Sequence, residues 1–264
     1  MLNISAAKFY DFNCDNVEYM QIMVPDADFL PEYRPQDLNN KNTVKIAWLG
    51  RLDGDKYNCV EMMFKELYDY NKCNRIEIYI IGGGNKIEKL KALAVQLNLN
   101  VHFLGVMFGA KLDDYLINQI DIGFAQGTAA LDFAKKGKPV ILSDIYHGNY
   151  PAHNVKYNLL YQTEKYGVGE LYTDRTSRNF YFSDALDYII KNYNQCAESC
   201  YNYASNNFRL DVVAKKFLRK IENFEQDELN NQHNALDMLY REYNSGLDSY
   251  IRILKKFRRK YIRF

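Results

Sequence analysis

The chain has 264 residues, a formal net charge of +1 and 47% hydrophobic residues, enough to bury one large core or two modest ones. The near-neutral balance speaks against a general nucleic-acid binder, which carries a clear basic excess. Five scattered cysteines form neither a disulfide framework nor a zinc pattern. With no secretory signal and no long apolar span, the chain reads as cytoplasmic.

Residues 1–43 are irregular. A short strand is expected at Tyr19-Met-Gln-Ile-Met-Val24, followed by prolines at 25, 31 and 35 and a polar run, Asn39-Asn-Lys-Asn42. This reads as a linker rather than a domain.

From Val44 a regular alternation begins. Val44 to Leu49 is short, apolar and β-inclined, and Gly50 allows a tight turn into Arg51 and, five residues on, Lys56. Val60, Met63, Phe64 and Leu67 recur at helical spacing. A strand at Ile76 to Ile81 closes on Gly82-Gly-Gly84, and Ile87, Leu90, Ala94 and Leu97 mark the next helix. Val101 to Leu104 is a third strand, followed by Gly105 and a short helix around Leu112, Tyr115 and Leu116. Ile120 to Ala125 predicts a strand, Thr128 to Lys136 a helix, and Pro139 to Leu142 a strand. Strands and helices in such short alternation predict an α/β fold: a doubly wound parallel sheet with helices on both faces.

Residues 143–180 are less regular, and the pattern is helical from Tyr181 onward. The expected division is therefore 1–43 as linker, 44–180 as a Rossmann-like domain and 181–264 as a helical C-terminal region. Cys196 and Cys200 fall on one helical face, where a pair of idle thiols is a better reading than a metal site. At the end, Leu236, Tyr240, Tyr243, Leu247, Tyr250, Leu254, Phe257, Tyr261 and Phe264 form one apolar stripe. As a single helix it would run roughly 43 Å at 1.5 Å per residue. Its last turns carry seven cations, from Arg252 to Arg263, and no acid after Asp248. Three readings stay open for residues 249–264: an edge packed on the domain, a basic helix on an anionic membrane surface, or a coiled coil.

The residues suited to chemistry stand at strand ends, where open α/β sheets bind ligands. Arg51 and Lys56 suit a di-anionic group such as a pyrophosphate. Gly82 to Gly84 allow a ligand to approach bare backbone amides. Gly105-Val-Met-Phe108 is an apolar loop suited to the face of a nucleobase. Gln126-Gly127-Thr128 follows the fourth strand with Thr128 as the expected N-cap, and Asp132 stands one turn further on, where it can accept from a ribose diol. No dependable general base or nucleophile is evident. His102 lies inside a strand, His233 opens the tail, and His147 and His153 fall in the Tyr-rich loop.

In this order and spacing, Val44 to about Tyr172 resembles the C-terminal, donor-binding half of a GT-B-fold glycosyltransferase of the large retaining family 4 (group 1). Gly50-Arg-Leu-Asp-Gly-Asp-Lys56 is similar to that family's G-R-L-x-x-x-K. Leu90-Lys-Ala-Leu93 with Val101-His-Phe-Leu-Gly105 resembles its L-x-x-L…V-x-F-L-G, and Leu131-Asp-Phe-Ala-Lys-Lys-Gly-Lys-Pro-Val140 its L-E-A-x-x-x-G-x-P-V. The resemblance implies a nucleotide-diphosphate sugar as donor, of the UDP or GDP type, without metal or other cofactor. It implies Arg51 and Lys56 on the pyrophosphate as the catalytic cations, and Val106, Met107 and Leu112 at the base. It implies Asp132 at the ribose, with Gly50, Gly83, Gln126, Gly127 and Thr128 completing the donor site. Asn158 to Gly169 resembles a branch acting in capsule or surface polysaccharide synthesis, which implies a glycan or lipid-linked acceptor.

Three departures from the pattern matter. Asp132 replaces a glutamate, which shortens its reach by about 1.5 Å (one carbon–carbon bond). The family's other glutamate, eight residues earlier, falls on Phe124. Residues 1–43 are too few for the acceptor half that precedes the donor half in such enzymes. The expectation is a longer protein, an acceptor-side partner chain, or a module that binds without catalysing.

Overall fold

A computed structural model describes residues 21–30, 38, 41–70, 75–145, 155–163, 166–170, 172 and 178–228, with side chains as far as 221. The chain divides into two compact units, Val24–Arg209 and a second drawn from both chain ends. The described part of the second is residues 21–23 and one helix, Leu210–Glu228.

In the first unit β1 (Val44–Leu49), α1 (Gly54–Asp69), β2 (Ile76–Ile81), α2 (Ile87–Gln96), β3 (Val101–Gly105), α3 (Gly109–Gln119), β4 (Ile122–Ala125), α4 (Thr128–Ala134) and β5 (Val140–Leu142) alternate without interruption. Then come β6 (Lys156–Leu159), β7 (Phe180–Tyr181), α5 (Phe182–Lys191) and α6 (Tyr193–Phe208). The seven strands form one sheet in the order β3-β2-β1-β4-β5-β6-β7. The first five are parallel, and β6 and β7 add antiparallel. The expected doubly wound α/β sheet is present.

The central strands read as unbroken apolar runs because both of their faces are covered. Ile46, Trp48, Ile78, Ile80, Ile122, Phe124 and Ile141 face a core that includes Val60, Met63, Phe64 and Leu67 of α1 and Leu186 and Ile189 of α5. On the other face α4 packs against β4, β5 and α6. A Cβ at Gly123 would stand 2.5 Å from the Phe133 ring, so only glycine lets α4 lie this close to β4.

Several boundaries differ from the sequence reading. The fourth strand opens at Ile122, not Ile120, because Asp121 turns its carboxylate to the Lys45 amide and the Lys41 ammonium. The helix after it stops at Ala134, and the strand beyond Pro139 begins at Val140. Of the strand expected at Tyr19–Val24, residues 19 and 20 lie outside the described residues, and Val24 makes an isolated bridge to Arg209. His147, His153 and His233 also lie outside them, as does the stripe from Leu236 to Phe264. Cys196 and Cys200 are both buried on α6, and burial pushes the Cys200 thiol up to about 12.

Candidate functional site

The strand order reverses between β1 and β4, which are hydrogen-bonded neighbours with Trp48 opposite Phe124. Their chain continuations run in opposite directions across the sheet, and that divergence opens a crevice at the carboxyl edge. The loops after β3, β2, β1 and β4 stand side by side along this edge. They span three strand spacings, about 14 Å at ~4.8 Å each.

The β1, β2 and β3 loops are zipped together by their backbones. The Gly50 amide donates to the Ile81 carbonyl, the Gly82 amide to Gly105, the Leu52 amide to Gly83 and the Lys86 amide to Leu52. The approach is close: a Cβ on Gly82 would fall 1.9 Å from the Gly50 carbonyl oxygen, and one on Gly84 2.6 Å from the Leu52 backbone. The triple glycine therefore serves loop-to-loop contact at Gly82 and Gly84, and the Gly82 amide points into that contact rather than into the crevice. Gly83 is different, since a Cβ there would meet only Val106 Cγ2 at 3.3 Å.

On this platform the Arg51 side chain is 75% exposed, with Asp53 at 3.8 Å. Lys56 lies in the first turn of α1 and is half-buried. Burial lowers its ammonium below the ordinary lysine value; Asp55 and Cys59 work against this, and Arg51 adds to it. Two cations at one turn repel, so an anion between them is favoured by both.

Beyond β3, Val106 and Phe108 are 58% and 78% exposed, while Met107 and Leu112 are half-buried. Phe108 is the N-cap residue of α3. The edge of the sheet thus carries apolar side chains in the open at the β3 end and cations at the β1 end.

The β4 side departs from the sequence reading in three ways. Helix α4 starts at Thr128 with Gly127 as its N-cap at φ 64°, so the Thr128 hydroxyl stands one place too late to cap. A positive φ comes without strain only at glycine, which is why the cap falls there. The Gly127 amide donates to the Val168 carbonyl at 2.5 Å. Gln126 is 6% exposed, its amide nitrogen against Cys59 Sγ at 3.5 Å, and its Oε1 has no partner among the described residues.

The segment that meets Gly127 is itself pinned. Asp144 accepts from Arg178 Nε at 2.8 Å and from the Glu170 amide at 3.0 Å, and both side chains are more than nine-tenths buried. Arg178 also lies over the Tyr172 ring at 4.0 Å and donates to its carbonyl. None of this pairing is legible in the sequence, where Asp144 and Arg178 stand 34 residues apart.

Asp132 keeps 31% of its side chain exposed and accepts from Lys135 Nζ at 2.7 Å. Burial raises its carboxyl above the ordinary value, and Lys135 opposes that shift. Phe124, by contrast, is a core residue. It is 1% exposed, with the rings of Trp48, Tyr157 and Phe182 at 5.9, 5.8 and 5.6 Å. The sequence reading missed Cys59, Lys135, Asp144 and Arg178; only the i, i+3 spacing of Asp132 and Lys135 offered a signal.

No protein-family model matches the chain, and no curated protein matches its sequence. Solved structures do match. The apo form of the lipopolysaccharide outer core galactosyltransferase WaaB superposes with a TM-score of 0.52 at 14% identity, over 83% of this chain and 59% of that one. WaaG, a glycosyltransferase involved in lipopolysaccharide biosynthesis, gives 0.52 at 14% identity, over 81% and 58%. A variant of S. aureus TarM in complex with Fondaparinux, alpha-GlcNAc-glycerol and UDP gives 0.50 at 16%, over 80% and 40%. The fold is one Rossmann-like half of a GT-B fold. This GT-B half spans less than two thirds of each of those three chains. Among the described residues no helix is long and apolar enough to cross a membrane, and no group of histidine, cysteine and carboxylate side chains is placed to hold a metal.

Proposed function

We propose that the chain is the donor half of a glycosyltransferase and binds a nucleotide-diphosphate sugar at the crevice between β1 and β4. The observation that carries this reading is the pairing of Arg51 and Lys56 at one turn beside the switch point of a GT-B sheet. In this reading the two cations hold the pyrophosphate and stabilise negative charge as it grows on the departing diphosphate, a preorganised electrostatic contribution that needs no metal. Gly50 and Gly83 shape the cradle, and Val106, Met107 and Leu112 take the base, with Phe108 beside them. Asp132 takes the ribose diol. Gln126, Gly127 and Thr128 border the sugar end. Retention of configuration follows from the family 4 resemblance. An acceptor that is a glycan or a lipid-linked glycan, and a place in capsule or other surface polysaccharide synthesis, fit the lipopolysaccharide glycosyltransferases that share the fold. A basic tail at 249–264 would suit cytoplasmic work at a membrane surface.

The test is nucleotide binding. UDP or GDP at a hundred times its dissociation constant should stabilise the protein by about 2.7 kcal/mol, or roughly 5–10 °C in Tm for a domain of this size. Arg51→Ala and Lys56→Ala should each weaken binding by about tenfold or more, the worth of a charge-assisted hydrogen bond. A full shift retained in the double variant would place the site elsewhere.

A second reading has its own support. Phe124 is core where the family carries a sugar-positioning glutamate, and the Gly127 amide is already bonded, so a non-catalytic nucleotide-sugar-binding subunit is the alternative. Donor hydrolysis or sugar transfer by this chain would exclude it, whereas tight binding without turnover would favour it.

A further inference from the structure

Two adjacent lysines at the end of α4 are buried, an unusual place for lysine unless it is paired. Lys135 and Lys136 expose 8% and 7% of their side chains. Their partners differ. Lys135 Nζ bridges Asp132 at 2.7 Å and Asp28 at 3.3 Å. Lys136 Nζ bonds Asp113 at 3.0 Å and the Asp28 carbonyl at 2.7 Å, and does not contact Asp132. The Lys135 backbone adds an anchor, its carbonyl accepting from the Leu30 amide at 3.1 Å.

Asp132 by itself is a poor fixed acceptor. Its side chain has two free torsions and is one methylene shorter than glutamate. Lys135 answers the loss of fixed orientation through one oxygen. It clamps Oδ1 at 2.7 Å while 31% of the Asp132 side chain stays exposed, and a carboxylate keeps acceptor capacity on both oxygens. The ammonium does so firmly: burial works against its charge, but Asp132 first and then Asp28 outweigh that and raise it above the ordinary lysine value.

We infer that Lys135 is a positioning residue that fixes the Asp132 carboxylate for a ribose diol, and so makes the site selective for a ribonucleotide over its 2′-deoxy counterpart. The inference rests on the nucleotide reading above. Asp28 shares the lysine and, with Asp113, adds negative charge near Asp132. Lys136 is the matched neighbour: equally buried and tied to the same segment, but with no hold on Asp132.

The test compares affinities for UDP and 2′-deoxy-UDP, with GDP and 2′-deoxy-GDP as the second pair, on the full chain. The wild type is expected to prefer the ribonucleotide by at least about tenfold, the lower end for a hydrogen bond to a charged group. Asp132→Asn and Lys135→Met should both bring the ratio below about threefold, chiefly by weakening the ribonucleotide. Lys136→Met should leave the ratio unchanged even where it lowers Tm, because a purely structural loss weakens both nucleotides alike. Lys135→Arg keeps a donor cation within reach and should restore most of the preference; it also supplies the answer if Lys135→Met fails to fold. Equal weakening of both nucleotides by Lys135→Met, or a ratio that falls as far in Lys136→Met, overturns the inference. A wild type that binds both forms equally overturns the ribose assignment and leaves the nucleotide reading standing. A wild type that binds no nucleotide overturns both.

Discussion

Buried lysines set the electrostatic character of this domain, and each is handled differently. Lys135 and Lys136 bond carboxylates, and Lys138, 1% exposed, donates to the Ile117 carbonyl at 2.8 Å. Burial pushes its ammonium down to about 8, against the pull of Asp121 and with a further push from Lys41. The sign follows from linkage. Between about 8 and the ordinary lysine value the folded protein has released this proton while the unfolded chain still holds it, so this group makes stability rise with pH in that window. Below about 8 the penalty for the buried charge is present in full. Lys138→Met removes it, so the wild type should gain on the variant as pH rises from 7 to 10. Urea unfolding at three pH values measures this, and a constant difference would show that Lys138 stays charged throughout. Lys56 carries the same sign of shift, with burial again the first cause.

At the scale of elements, the site depends on three loops that behave as one. The hydrogen bonds that run along β1, β2 and β3 continue past the strands through Gly50, Leu52, Gly82 and Gly83. Within the triple glycine, the requirement falls where backbones touch, at Gly82 and Gly84. Gly82→Ala would place its methyl 1.9 Å from the Gly50 carbonyl oxygen, at φ 148°. It should cost about 3 kcal/mol or more, because no flexible side chain is available to yield. Gly83→Ala meets only Val106 Cγ2 at 3.3 Å and should stay within about 1 kcal/mol. Chemical denaturation of the two variants side by side decides it, and equal costs would mean that the loops are not locked. The same contact explains why Arg51 can be so exposed and still be placed: its backbone is held on both sides by Gly50 and Leu52.

For the whole molecule, the sheet order separates two edges. The amino edge holds Lys41, Asp121 and Lys138 in structural contacts, while the carboxyl edge holds the candidate donor site. β1 and β4 are paired on both sides and buried on both faces, whereas β3 is an edge strand with every residue at least partly exposed. Amide hydrogen exchange should therefore be slowest in β1 and β4 and faster in β3. Adding UDP should slow exchange in residues 50–56, 82–86, 105–112 and 126–132 and leave the amino edge unchanged. Protection that appears chiefly at the amino edge would refute the assignment of the crevice.

Much of this was legible in the chain because the signals are local. Alternating apolar runs and helical periods need only near neighbours, so β1 to β5 and the helices between them were placed to within a few residues. The Gly50-Arg51…Lys56 turn was legible for the same reason: cations next to a strand-ending glycine keep their position whatever else the fold does. What the sequence could not say is which backbone groups the fold would use up. Tertiary structure turned Gly82 and Gly84 from ligand-facing amides into packing contacts, joined the Gly127 amide to Val168, buried Gln126 against Cys59, and set Phe124 among three aromatic rings. It also brought Asp28 to Lys135, 107 residues away. These are contacts between elements, and they depend on the order in which strands assemble and on how closely two loops can approach. Spacing determined that glycines and two cations would gather at the carboxyl ends of the strands. Only the packed structure decided which polar groups are left free at that edge, because most buried polar groups take a partner within the fold.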